Sequence, residues 1–195
     1  MTHTDSLEAL AYQSIESTDP LAMARKARAA KPTPIRRNIL ALDLGTKCGY
    51  ACRNMDGVIV YGTEVFTPKK HWSAGQRWQR FRGWLVELVV NNHIHCIAYE
   101  EVRRHNGNDA AHVYGAFLAL TQLIADSHNL ELVPVGVGAI KKHWTGKGNA
   151  LKDAMIKEAK SRGFHPKDDN CADALAILDW ATAQERKHEK AHAST

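Results

Sequence analysis

The stretch Ile39-Leu40-Ala41-Leu42-Asp43-Leu44-Gly45-Thr46 constrains this chain more than any other. Four consecutive apolar residues, bounded by polar ones and a glycine, predict a short buried strand. Asp43 then puts a carboxylate on that strand. A charge in a sheet interior is costly unless something pairs with it. Gly45 follows where the backbone must turn or let another group approach. Two readings of Asp43 stand at this point: an acid capping a turn, or a metal-ligating or phosphate-binding group. Residues 48–54 and 58–66 predict two further strands, joined by the hairpin turn pair Asp56-Gly57. One acid therefore sits on a central strand beside a hairpin.

The remaining pattern sets the architecture. Trp78, Phe81, Leu85 and Leu88 recur at helical spacing across 74–92. Residues 94–99 predict a fourth strand, which ends at Glu100-Glu101. Val113, Phe117, Leu120 and Ile124 line one face of a helix over 109–126, and Leu130 to Val135 predict a fifth strand. A Gly-rich basic loop over 141–149 precedes helices over 150–162 and 168–186. The last is opened by Asp168-Asp169-Asn170, all suitable N-cap residues. Three strands, then strands alternating with helices, predict an α/β fold with a central five-stranded mixed sheet flanked by helices.

Ahead of this domain, residues 25–37 hold six basic residues (Arg25, Lys26, Arg28, Lys31, Arg36, Arg37) and no acid, with Pro32 and Pro34 breaking any helix. The segment 1–37 is expected to be a flexible basic N-terminal arm, either a solvated linker or a DNA-contacting element. Residues 38–186 form the domain, and 187–195 are expected as a disordered tail.

Lys and Arg number 26 against 21 Asp and Glu, a formal charge of +5, which permits a polyanionic partner. The four cysteines, at 48, 52, 96 and 171, form no C-x-x-C pair and are expected as buried reduced thiols. No apolar run approaches the roughly 18 residues of a membrane span. The N-terminus has no secretory h-region. A cytoplasmic protein with no membrane partner is expected.

The acids fall where separate elements can bring them together. If the first and fourth strands are parallel neighbours, Asp43 and Glu100 share the carboxyl edge of the sheet, where open α/β sheets place ligands. Asp173 lies on the last helix with Asp169 four residues before it, on the same helix face. Crowded carboxylates repel unless cations neutralise them. An all-oxygen set suits Mg²⁺, with Mn²⁺ able to substitute. Two such ions about 4 Å apart form the clamp used for in-line attack on phosphodiesters.

The residues that carry this chemistry also carry a resemblance. Asp43-Leu44-Gly45-Thr46, Tyr99-Glu100, the segment Thr145-Gly146-Lys147-Gly148-Asn149-Ala150 with Lys152, and Ala172-Asp173-Ala174-Leu175-Ala176 resemble the RuvC family of Holliday-junction resolvases. Tyr99 to His105 with Ala110 to Gly115 is closer to phage-type RuvC-like nucleases than to the bacterial housekeeping form. The resemblance covers about residues 38–182. It implies an RNase H-like fold, a homodimer, two Mg²⁺ ions per active site and paired nicks in four-way DNA junctions. Two positions depart from the bacterial pattern. Asn170 stands where that pattern has a carboxylate, so Asp169 or Asn170 supplies the fourth ligand, and Asp169 is favoured. Arg103 stands where it has an aromatic wedge.

The basic residues fit this reading. Arg103, Arg104 and His105 follow Glu100, and Lys141, Lys142, Lys147 and Lys152 follow the fifth strand. Both sets are expected to flank the acids and hold phosphates without reading bases. Trp144 is open between stacking on a base and a core or interface role, and His112 between a structural and a catalytic one. Competing readings are an RNase H-type nuclease acting on branched, flap or hybrid nucleic acid, and a non-catalytic DNA-binding relative. An ATPase of the sugar-kinase or actin type also begins with Asp-x-Gly-Thr, but needs two such domains.

Overall fold

The computed structural model of the protein describes residues 37–102 and 107–193. The N-terminal arm up to residue 36, and Arg103, Arg104 and His105, lie outside the described residues. Five strands form one sheet: β1 (Ile39–Asp43), β2 (Lys47–Arg53), β3 (Ile59–Val65), β4 (Cys96–Glu101) and β5 (Glu131–Gly136). Their spatial order is β3-β2-β1-β4-β5. The hairpin strands β2 and β3 run antiparallel on one side of β1, while β4 and β5 continue parallel to it on the other. The hairpin turns at Gly57, whose φ of 84° favours glycine.

Period-two alternation along β1 sorts the core into two layers. Leu40 and Leu42 face α1 (Gln76–Asn91) and α2 (Asn108–Ser127), where Phe66, Phe81, Leu85 and Phe117 are buried. The rings of Phe81 and Phe117 stack at 3.9 Å. Ile39 and Ala41 face α3 (Val137–Thr145), α4 (Lys152–Ser161) and α5 (Asp169–Ala193), where Trp144, Met155 and Leu175 are buried. By the same alternation Asp43 belongs to the α5 side.

α5 lies close on the sheet because small residues face it. Ala172, Ala174 and Ala176 are fully buried. At Gly49, opposite Asp43 in the β1–β2 register, an added Cβ would stand 2.0 Å from the Asn170 carbonyl oxygen. Only a glycine lets the start of this helix reach the sheet.

Three expectations are corrected. The basic segment 141–149 is not all loop, because Lys141 to Thr145 complete α3. Ile140 and Trp144, four apart, are buried and anchor that helix, and the flanking glycines mask their spacing. Gly146, with φ of 80°, ends it in the left-handed conformation. Trp144 is a core residue: its indole Nε1 donates to the Met155 carbonyl at 3.1 Å. The disordered tail expected from 187 is helical as far as Ala193, since Ala, Glu, Lys and Arg are good helix formers. Arg37, counted with the arm, is paired with Glu131 and Glu185 and fastens the chain to β5 and α5.

Candidate active site

Each acid reaches the site by a different local route. Asp43 ends β1, and Glu100 lies near the end of β4. The parallel register Leu42 to Tyr99 puts their two strand ends at one edge of the sheet. Both side chains follow their strands' alternation to the α5 side. Asp169 opens α5 and Asp173 follows one turn later. As whole residues all four are half-buried.

Electrostatics shows that these groups share one place. Burial raises the Asp43 carboxyl well above the usual range, and Glu100, Asp173 and Asp169 raise it further, in that order, while Lys152 opposes them. Asp173 is pushed up to about 7 by burial, then by Glu100 and Asp169, with Lys141 and Lys152 opposing. Burial also raises Glu100, and Lys141 lowers it. Asp169 goes the other way: its hydrogen bond from the Lys152 ammonium lowers it, and the same bond raises Lys152. Lys152 itself is 77% exposed, so this pair stands at the rim of the acidic centre.

Asp168 does different work. Its Oδ1 accepts from the Cys171 amide at 2.9 Å and from the Thr63 hydroxyl at 2.6 Å, capping α5 and tying it to β3. Asn170 contributes its carbonyl to the contact over Gly49.

Among the described residues no group of three or more His, Cys, Asp or Glu side chains forms a ready-made metal cage. The donor set nonetheless fits a hard divalent cation. It is all oxygen, and two of its carboxyls, Asp43 and Asp173, are held towards the neutral form by burial and by neighbouring carboxylates. Two lysines already lean on it.

Of the basic residues expected around the acids, Lys141 and Lys152 act on them electrostatically. Lys142 is exposed in the last turn of α3 and Lys147 in the turn beyond it. Gly146 ends α3, and Gly148 is tight against it, since a Cβ there would stand 3.3 Å from the Gly138 carbonyl oxygen. These glycines shape the turn. Sequence reasoning missed the role of Gly49, which only the strand register reveals. It also passed over the basic residues of 69–82, masked by the apolar spacing of the helix that holds some of them.

No family model matches the chain, and no curated protein matches it. Solved structures do. T. thermophilus RuvC in complex with Holliday junction substrate is similar with a TM-score of 0.63 and 22% identity, over 73% of this chain and 90% of that one. The Thermus thermophilus RuvC structure is similar with a TM-score of 0.59 and 22% identity, over 72% and 90%. The yeast mitochondrial Holliday junction resolvase Ydc2 gives 0.52 and 14% identity, over 80% of each chain. The chain therefore shares the RNase H-like α/β fold of these resolvases, a five-stranded mixed sheet flanked by helices.

Proposed function

We propose that the protein is a RuvC-family endonuclease that resolves four-way DNA junctions as a homodimer, hydrolysing phosphodiesters to leave 5′-phosphate and 3′-hydroxyl ends. One observation carries the reading. Four carboxylates from β1, β4 and α5 come together at the carboxyl edge of the sheet, where the others raise Asp43, and Glu100 and Asp169 raise Asp173, with Lys141 and Lys152 beside them. The similar solved structures are themselves junction resolvases or bound to junction DNA, which supports it.

Asp43, Glu100, Asp169 and Asp173 would hold two Mg²⁺ ions. When bound, such ions supply Lewis acidity for in-line attack of water on a phosphodiester. The chain's own part is placement and charge. β1 and β4 fix Asp43 and Glu100 on rigid elements, and α5 sets Asp169 and Asp173 against them through the Gly49 contact. Lys152 and Lys141 offset the excess negative charge and draw the scissile phosphate towards it. Lys142, Lys147, Arg103, Arg104 and His105 would grip the flanking phosphates without reading sequence.

Incubation with Mg²⁺ and matched four-way, flap, duplex and RNA–DNA hybrid substrates tests the proposal. Paired nicks in the four-way junction, well ahead of the others, are expected. Preference for the hybrid would transfer the site to an RNase H-type activity. Absence of metal-dependent cleavage on every substrate would remove the nuclease reading.

A further inference from the structure

Between Glu64 and Glu87 the chain carries five Lys and Arg residues (Lys69, Lys70, Arg77, Arg80, Arg82) and one His, and no acid. We propose that the exposed part of this segment is a second DNA-contacting surface. It would hold an arm of the substrate by its phosphates on the side of the sheet opposite the acids. The proposal rests on the nuclease reading and says where the rest of the DNA lies.

Topology places the segment. β3 runs parallel to β1, so its end at Val65 lies at the edge that carries Asp43; Val65 pairs with Lys47, the first residue of β2. The Phe66 amide donates to the Thr46 carbonyl at 2.8 Å, so the loop leaves from the turn that follows Asp43. Phe66, Phe81 and Leu85 then bury themselves in the α1–α2 layer. The segment therefore shares the acids' edge and occupies the opposite face.

The side chains are arranged for an outside partner. Lys69, Lys70, His71, Arg80 and Arg82 are exposed. Among the described residues, none of these five forms an ion pair. Arg80 lies over the Trp72 ring at 5.1 Å, which steadies the loop against α1. Arg77 is bound inward: it donates to the Thr46 hydroxyl and lies 5.4 Å from the Trp78 ring, linking α1 to the turn after Asp43. An ordinary solvated surface intersperses both signs of charge. A 22-residue stretch with one sign only, continuous with a phosphodiester-cleaving edge, suits the regularly spaced charges of a nucleic-acid backbone.

The test measures binding of the full-length chain to a fluorescent four-way junction in EDTA, by anisotropy at several salt concentrations. The variants are K69A/K70A and K69A/K70A/R80A/R82A. The control K157A/K160A removes two equally exposed charges from α4. Loss of about two to four phosphate contacts predicts a slope of log K against log salt smaller by about 2–4 for the quadruple variant, and affinity at least about tenfold weaker near 0.1 M salt. K69A/K70A, which leaves the Arg80–Trp72 contact intact, is expected to show about half the change in slope. The control stays within about twofold. Binding of both variants within twofold of wild type, or an equal loss in the control, overturns the proposal. So does equal sensitivity in binding to phosphatidylglycerol vesicles by a chain that ignores DNA. Parallel cleavage in Mg²⁺ separates the two readings. If wild type cuts the junction and the variants still bind it normally, only this surface is wrong. If wild type neither binds nor cuts branched DNA, both readings fall.

Discussion

Replacing Asp173 by Asn should stabilise the metal-free protein at pH 8. Burial first, and then the Glu100 and Asp169 carboxylates beside it, lift this carboxyl from 3.8 to about 7. The sign follows from linkage: the folded state prefers the protonated form. The stability associated with that form is fully present below about pH 3.8 and is lost as pH rises through about 7. A shift of roughly 3 units at about 1.4 kcal/mol each sets a ceiling of about 4 kcal/mol on the penalty at pH 8. Local relaxation lowers that, so about 1–3 kcal/mol is the expected gain when Asn replaces the carboxylate at nearly the same volume. Urea unfolding in EDTA at pH 8 and pH 4 measures it. The midpoint of the variant should exceed that of wild type at pH 8, and the two should converge at pH 4. Adding Mg²⁺ at pH 8 should raise wild type by mass action and the variant by less. A variant no more stable than wild type at pH 8 would refute the reasoning, because Asp173 would then carry no penalty from burial or from its acidic neighbours.

Other outcomes follow from the same geometry. Gly49→Ala forces a Cβ into the Asn170 carbonyl, so α5 must move away; destabilisation of about 1–3 kcal/mol in urea and loss of junction cleavage are expected. Asp168→Asn should cost up to about 1 kcal/mol of stability through the weakened cap and leave cleavage largely intact, whereas Asp169→Asn should lose cleavage with little change in stability. The reverse pattern would mean that the register of the first turn of α5 is misassigned. Lys147→Ala should weaken binding to all DNA sequences and reduce the salt slope by about 0.9, read from titrations at several salt concentrations.

Much of this could be read from the chain itself. An apolar run that ends in an acid, and a second that ends in Glu100, are strong signals because buried strands tolerate few charges. The parallel pairing of β1 with β4 then brings both acids to one edge. The pair Asp169 and Asp173 was legible from helical spacing. What escaped depends on contacts distant in sequence. Nothing local to Gly49 shows that a helix more than a hundred residues later rests on it. The helix α3 hides between glycines, and its buried Trp144 looks as well suited to a nucleobase as to a core. Lys152 reads as a phosphate contact, yet in the fold its ammonium lies on Asp169. The cations of 69–82 escaped because the apolar spacing of α1 draws attention to its inner face.

The most direct test of the acidic centre compares wild type with Asp43→Asn in two assays on one labelled four-way junction: cleavage in Mg²⁺ and binding in EDTA. Asp43 lies among the other acids, while the proposed phosphate contacts come from lysine and arginine. The variant should therefore lose cleavage entirely and bind at least as tightly as wild type, since a negative charge near the DNA is gone. Cleavage by the variant within tenfold of wild type would contradict the assignment of these four carboxylates as the catalytic site.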